Sequence, residues 1–235
     1  IDKPPLFIYL IAPAVALDRD PLIVTAFIGL LNVAAVGACY WIGQEYWGYK
    51  VGLLAAALLA VSPWAVYYSR KVWAQDALLP FVILFFAFLL RWTVKKRPWA
   101  LSGALVALAA LTQIHMATVS LIPLFALIFV AQVVYLYRQQ EIATIYYPLL
   151  LGVGASFTMY LPYLLLDALR GWRNVHAFYE TIRAPAQMRW EALRFALLNV
   201  GGREIHALAG AERFTEFLDT IVNLDYWPDR IQEGL

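Results

Sequence analysis

Six apolar stretches follow one another along this chain, at 22–43, 50–67, 76–94, 99–116, 118–137 and 143–166, with only short polar turns between them. Each is close to the roughly 20 residues that a helix needs to cross a bilayer. A spanning segment must satisfy its own backbone hydrogen bonds, so runs of this length in lipid are helices. The composition agrees. Of the 235 residues, 63% are hydrophobic and 14% charged, and the mean hydropathy is +0.66, whereas a soluble domain is about 45–50% apolar and 25% charged. The expected fold class is all-α, a polytopic transmembrane helix bundle of about six spans. The stretch 5–17, bounded by Pro4-Pro5 and by Asp18-Arg19-Asp20-Pro21, is too short to span and suits an interfacial or re-entrant helix.

The formal net charge is +2, and no basic stripe suggests nucleic acid as a partner. Membrane lipids are the expected surroundings. The single cysteine, Cys39, lies in an apolar run, which excludes a disulfide framework and a cysteine-based metal site. There is no initiator Met and no signal peptide, and the chain stops at Gln232-Glu233-Gly234-Leu235 without a closing element, so it reads as part of a longer membrane protein. Two regions are expected. Residues 1–168 form a transmembrane domain incomplete at its N-terminus. Residues 169–235 are rich in charge, with amphipathic spacing at 188–199 and 211–224, and read as the start of an extracytoplasmic, partly helical soluble region.

Lys and Arg in short loops set orientation. The turn Arg91-Trp92-Thr93-Val94-Lys95-Lys96-Arg97 is the most basic and is expected to be cytoplasmic, with Arg138 on the same side. Counting spans then puts Asp2, Lys3, Asp18, Arg19, Asp20, Ser69, Arg70, Lys71, Asp76, Gln113 and His115 together on the outward face. Acids, bases and a histidine gathered at one face look like a site.

Each candidate also has a plainer reading. Asp2 and Lys3 precede a rigid Pro-Pro step; charge there is a functional hypothesis, or Lys3 simply snorkels to lipid phosphate. Arg70 and Lys71 have the chemistry to hold a phosphate, one as a fork and one as a point charge, or they too are snorkelling side chains. Asp76 is a site residue or a helix N-terminal acid. Trp64, Tyr67, Tyr68 and Trp73 suit an interfacial belt or stacking on a sugar ring. His115 reads as hydrogen-bonded packing more readily than as a ligand or base. Gly152-Val153-Gly154 reads as helix packing. His176 and His206 have no metal-ligand spacing, and there is no Gly-rich phosphate loop, zinc-type His/Glu spacing or nucleophile elbow.

Asp2-Lys3-Pro4-Pro5-Leu6 resembles the acid-Lys-Pro-Pro-Leu motif of the bacterial protein-mannosyltransferase and aminoarabinose-transferase superfamily, membrane glycosyltransferases of the GT-C class. Val61-Ser62-Pro63, the Tyr68-Ser69-Arg70 turn with Asp76, and Leu111-Thr112-Gln113 resemble later elements in the same order, so the resemblance covers 1–168. It implies a glycosyltransferase (hexosyl- or pentosyl-) that moves a sugar from a polyprenyl-phosphate-linked donor to a lipid, glycan or protein acceptor at the outer face of the cytoplasmic membrane. It assigns Lys3 to the donor phosphate, Asp2 to the phosphate or a bound divalent metal ion, and Arg70 to a further phosphate contact. The family's catalytic acid precedes the motif, which puts it before Ile1, so the chain alone is expected to be inactive. Relatives often carry Lys after Thr112; here that position is Gln113, which with His115 is left as a sugar contact. Inverting transfer needs a base for the acceptor and cations for the leaving phosphate. Lys3 and Arg70 meet the second need. The alternative is a transporter or flippase for a lipid-linked or polar solute, which predicts paired or inverted repeats and broken helices at mid-membrane; charges gathered at one face count against it. A non-catalytic scaffold with anchoring charges is the third reading.

Overall fold

The structure, a computed structural model, describes residues 5–183. Asp2, Lys3 and the helices expected at 188–199 and 211–224 lie outside the described residues. Within them the chain is helical, with no strand: α1 (Leu6–Leu17), α2 (Pro21–Trp47), α3 (Tyr49–Ala60), α4 (Pro63–Tyr68), α5 (Leu78–Thr93), α6 (Ala100–Ile114), α7 (Leu121–Arg138), α8 (Tyr146–Leu169) and α9 (Arg173–Arg183), with short 3₁₀ turns at Ala74–Ala77, Met116–Ser120 and Ile142–Ile145.

Local chemistry sets the boundaries. Asp20 caps α2 by accepting from Leu22 N at 2.9 Å, with Pro21 in the first helical turn. Gly48, at φ +91°, reverses the chain into α3. The stretch expected as one span at 50–67 is two helices. Pro63 disfavours helical backbone at the preceding residue; Ser62 accordingly sits at φ −61°, ψ 123°, and α4 restarts at Pro63.

Four helical stretches among the described residues are long and apolar enough to cross a membrane: Pro21–Trp47, Ala74–Thr93, Met116–Arg138 and Ile142–Leu169. The other two expected spans fall at α3 and α6, apolar helices of 12 and 15 residues. At about 1.5 Å per residue these run about 18 and 22 Å, less than a hydrocarbon core of about 30 Å. The chain is a multi-pass membrane protein with an all-α bundle.

Helix α6 lies at the centre. Its residues from Ala107 to Ile114 are all buried, and it packs against α5, α8 and α1. Small residues let the backbones approach. Gly103 faces the Phe88 ring of α5, and Gly152 of α8 sits against Ser102 and Leu105 of α6, whereas Gly154 faces open space. The α6–α8 seam is also hydrogen-bonded: Ser102 Oγ donates to Pro148 O at 2.6 Å, and Thr112 Oγ1 is 2.7 Å from the Tyr160 hydroxyl. Between α2 and α3 the close approach is Gly43 on Gly52. Phe85, Trp92, Leu101, Leu111 and Phe125 fill the core among α5, α6 and α7. A smaller cluster of Ala14, Val24 and Ile28 seats α1 on α2.

Candidate active site

The turn between α4 and α5 gathers several of the bundle's polar groups. Asp76 closes it. Its Oδ2 accepts from Trp73 N at 2.6 Å, while its own N–H donates to Trp73 O at 3.0 Å. This is the helix N-terminal role that the sequence offered as the plainer reading. It accounts for one carboxylate oxygen only. Asp76 is 1% exposed, and its Oδ1 is buried with no hydrogen-bond partner; so is Oε1 of the neighbouring Gln75. A buried acceptor without a donor costs about 1–3 kcal/mol, and more when charged, so each such group needs an explanation.

The turn is locked to α2 from inside the bundle. Asn32 Nδ2 donates to Asp76 O at 3.0 Å and to Ile28 O at 2.9 Å. Asn32 is 6% exposed and did not figure among the sequence candidates. Its signal was a carboxamide in the middle of an apolar run, the kind of polar group that membrane segments rarely keep without use. Next to it, Gly29, Asn32, Leu59, Ala65, Ser69 and Leu79 help to line a pocket of about 260 Å³ among α2, α3, α4 and α5.

The depth of this site follows from helix geometry. Asn32 precedes Glu45 on α2 by 13 residues, and Asp76 precedes Arg91 by 15, while Arg91 Nη2 pairs with Glu45 Oε2 at 3.1 Å. The two helices therefore run parallel. At about 1.5 Å per residue, Asp76 and Asn32 sit about 20 Å from that ion pair. Helix α2 continues for another 11 residues beyond Asn32 towards Pro21, about 16 Å more. Asp76 is thus recessed within the bundle rather than at the tips of its helices.

Arg70 and Lys71 occupy the same turn with different surroundings. The Lys71 ammonium donates to the Tyr67 hydroxyl and lies 3.8 Å from that ring's centroid, and it is within electrostatic reach of Asp76. Arg70 is exposed. Around them Trp64 stacks on Tyr68, with centroids 5.4 Å apart and planes 12° apart, and Tyr67 meets Tyr68 edge-on.

Gln113 and His115 have other partners. Gln113, 1% exposed, donates from Nε2 to Met159 O at 2.8 Å, tying α6 to α8. His115 ends α6 and starts the Met116–Ser120 turn: its Nδ1 accepts from Ala117 N at 3.1 Å and its carbonyl accepts from Thr118 Oγ1 at 2.7 Å. Accepting at Nδ1 leaves the Nε2 position for a proton. Among the described residues, no hydrogen bond, ion pair or ring contact joins either residue to Asp76. Asp167, which did not figure among the sequence candidates, is 1% exposed and caps α9, accepting from Asn174 N at 2.9 Å and Val175 N at 3.1 Å.

Among the described residues no three His, Cys, Asp or Glu side chains come together to hold a metal ion; Asp2 and Lys3 lie outside them. A family model described as dolichyl-phosphate-mannose-protein mannosyltransferase matches residues 2–165. Comparison with curated proteins and with solved structures gave no match.

Proposed function

Because the chain belongs to the dolichyl-phosphate-mannose-protein mannosyltransferase family, and is thereby a membrane glycosyltransferase of the GT-C type, we propose that its Asp76 end receives a polyprenyl-phosphate-linked sugar and passes the sugar to an acceptor. The observation that carries this reading is the pair of buried acceptors without donors, Gln75 Oε1 and Asp76 Oδ1. They stand in the same turn as Arg70 and Lys71. Acceptor oxygens suit the hydroxyls of a sugar or acceptor, and neighbouring cations suit a phosphate. One turn thus offers both chemistries that a sugar phosphate presents.

In the transfer, the acceptor hydroxyl oxygen forms a bond to the anomeric carbon while the bond from that carbon to the phosphate oxygen breaks. The hydroxyl proton goes to a base, and the lipid phosphate leaves with added negative charge. Lys3, Arg70 and Lys71, the last held on Tyr67, are the cations that stabilise this charge. Asp76 Oδ1 holds a substrate hydroxyl in a water-poor interior, where such a bond is strong. The family resemblance implies an acid as that base. Gln113 and His115 are sugar contacts in this reading, and with Nδ1 engaged by Ala117 N, His115 would donate from Nε2. A divalent ion beside Asp2 remains part of the reading, with no step assigned to it.

The site faces outward from the cytoplasmic membrane in this reading, with the basic 91–97 turn inside, as the positive-inside bias requires. Lys3→Ala in the intact protein tests it. Transfer should fall by about 100-fold or more, the scale of removing one charge-stabilising group, while membrane insertion stays normal. Normal transfer by the variant would take Lys3 out of the site.

A further inference from the structure

At the far end of α5 lies a second polar cluster to which the transfer reaction gives no task. Glu45, Arg91, Lys95, Arg97 and Trp99 help to line a pocket of about 510 Å³ between α2, α5 and the start of α6. Three cations face one carboxylate there. Arg91 is paired with Glu45 at 3.1 Å and lies 4.2 Å over the Trp41 ring. Among the described residues, Lys95 Nζ meets the Glu45 carbonyl at 3.5 Å and the Tyr46 ring at 5.1 Å. The Arg97 side chain is in no ion pair among the described residues. Among the described residues, the pocket therefore keeps about two positive charges beyond its one carboxylate.

The loop that carries them is shaped to do so. Arg97 N donates to Arg91 O at 3.0 Å, which folds the loop back on the helix end. Lys96, at φ +53°, turns the other way, onto the Tyr135 ring at 4.0 Å. Lys95 and Arg97 are left on the pocket side. The surrounding helix ends carry exposed Trp41, Trp47, Trp99, Tyr146 and Tyr147. Such aromatics mark the membrane–water interface, so the pocket opens at head-group depth. Its volume is in the range of small-ligand sites.

We infer that this pocket binds the phosphate-bearing head group of an anionic membrane lipid, in the leaflet opposite the Asp76 end. Arg97 and Lys95 hold the phosphate, as basic pockets between membrane helices do, and Trp99 lies along the glycerol. The inference is independent of the glycosyl donor and its acceptor.

The test uses this chain in phosphatidylcholine nanodiscs, with phosphatidylglycerol titrated in and bound lipid counted by native mass spectrometry. Phosphatidylglycerol should bind in preference to phosphatidylcholine. The double variant Lys95→Gln/Arg97→Gln should weaken it by about tenfold or more, since each basic group near the surface is worth about fivefold. Lys50→Gln, at the same end but outside the pocket, should cost no more than the roughly fivefold that one surface charge is worth. Glu45→Gln frees Arg91 and should tighten binding, a gain that misfolding does not imitate. Millimolar inorganic phosphate should not displace the lipid. Equal losses in Lys50→Gln and the double variant would reduce the effect to general surface charge and overturn the inference. So would a Glu45→Gln variant that binds no tighter, and displacement by phosphate would overturn the assignment to lipid.

Discussion

A single methyl group added at Gly52 should force α2 and α3 apart, whereas the same group added at Gly37 should not. A Cβ at Gly52 would lie 2.6 Å from Tyr40 O and 2.7 Å from Gln44 N, both backbone atoms of α2. Carbon contacts are comfortable at about 3.5–4.0 Å, so the helices must separate by roughly 1 Å. Overpacking of this kind costs about 1–3 kcal/mol. A Cβ at Gly37 meets nothing within 4 Å. Both substitutions gain the helix preference of Ala over Gly, about 1 kcal/mol, so that contribution cancels between them. Gly37→Ala should therefore melt above Gly52→Ala by the packing term alone, at about 2–4 °C per kcal/mol for a chain of this size. Thermal unfolding of the two variants in the same detergent, followed by circular dichroism, measures the difference. Equal melting temperatures would refute the close Gly43–Gly52 crossing.

Gln113→Leu should destabilise the chain by about 0.5–1.5 kcal/mol, the value of one hydrogen bond, because it removes the bond to Met159 O; if Gln113 also touches the sugar, transfer by the intact protein will fall further than the folded fraction does. Asp167→Ala removes both cap bonds to α9 and should cost about 1–2 kcal/mol. Hydrogen exchange should then speed up at the Asn174 and Val175 amides and stay slow along α6; uniform speeding would contradict a local cap.

The helices were legible because the signal was long. Apolar runs at 22–43, 76–94, 99–116, 118–137 and 143–166 gave boundaries within a few residues of those observed. The break at Ser62-Pro63 was legible in principle, since proline restricts the residue before it, but the apolar run on both sides masked it. The site was less legible. Asp76, Arg70 and Lys71 stood out as charges in a turn. One carboxylate oxygen of Asp76 is held by Trp73 N, three residues away, and its backbone carbonyl accepts from the side-chain amide of Asn32, 44 residues away. No spacing rule encodes a pairing of that kind. Gln113 attracted notice by its polarity, yet its partner is a carbonyl on α8, a tertiary contact with no local signature.

The proposed role of Asp76 is separable from its structural one by a single substitution. Asp76→Asn keeps an oxygen to accept from Trp73 N and removes the charge from a buried atom without a donor. In membranes holding the intact protein and a polyprenyl-phosphate-linked sugar, this variant should lose about 100-fold or more of its transfer rate while melting at or above the unsubstituted temperature. Transfer within about threefold of the unsubstituted protein, far from the loss expected for a group that stabilises the reaction, or a loss that merely follows the folded fraction, would contradict an active site at the Asp76 turn.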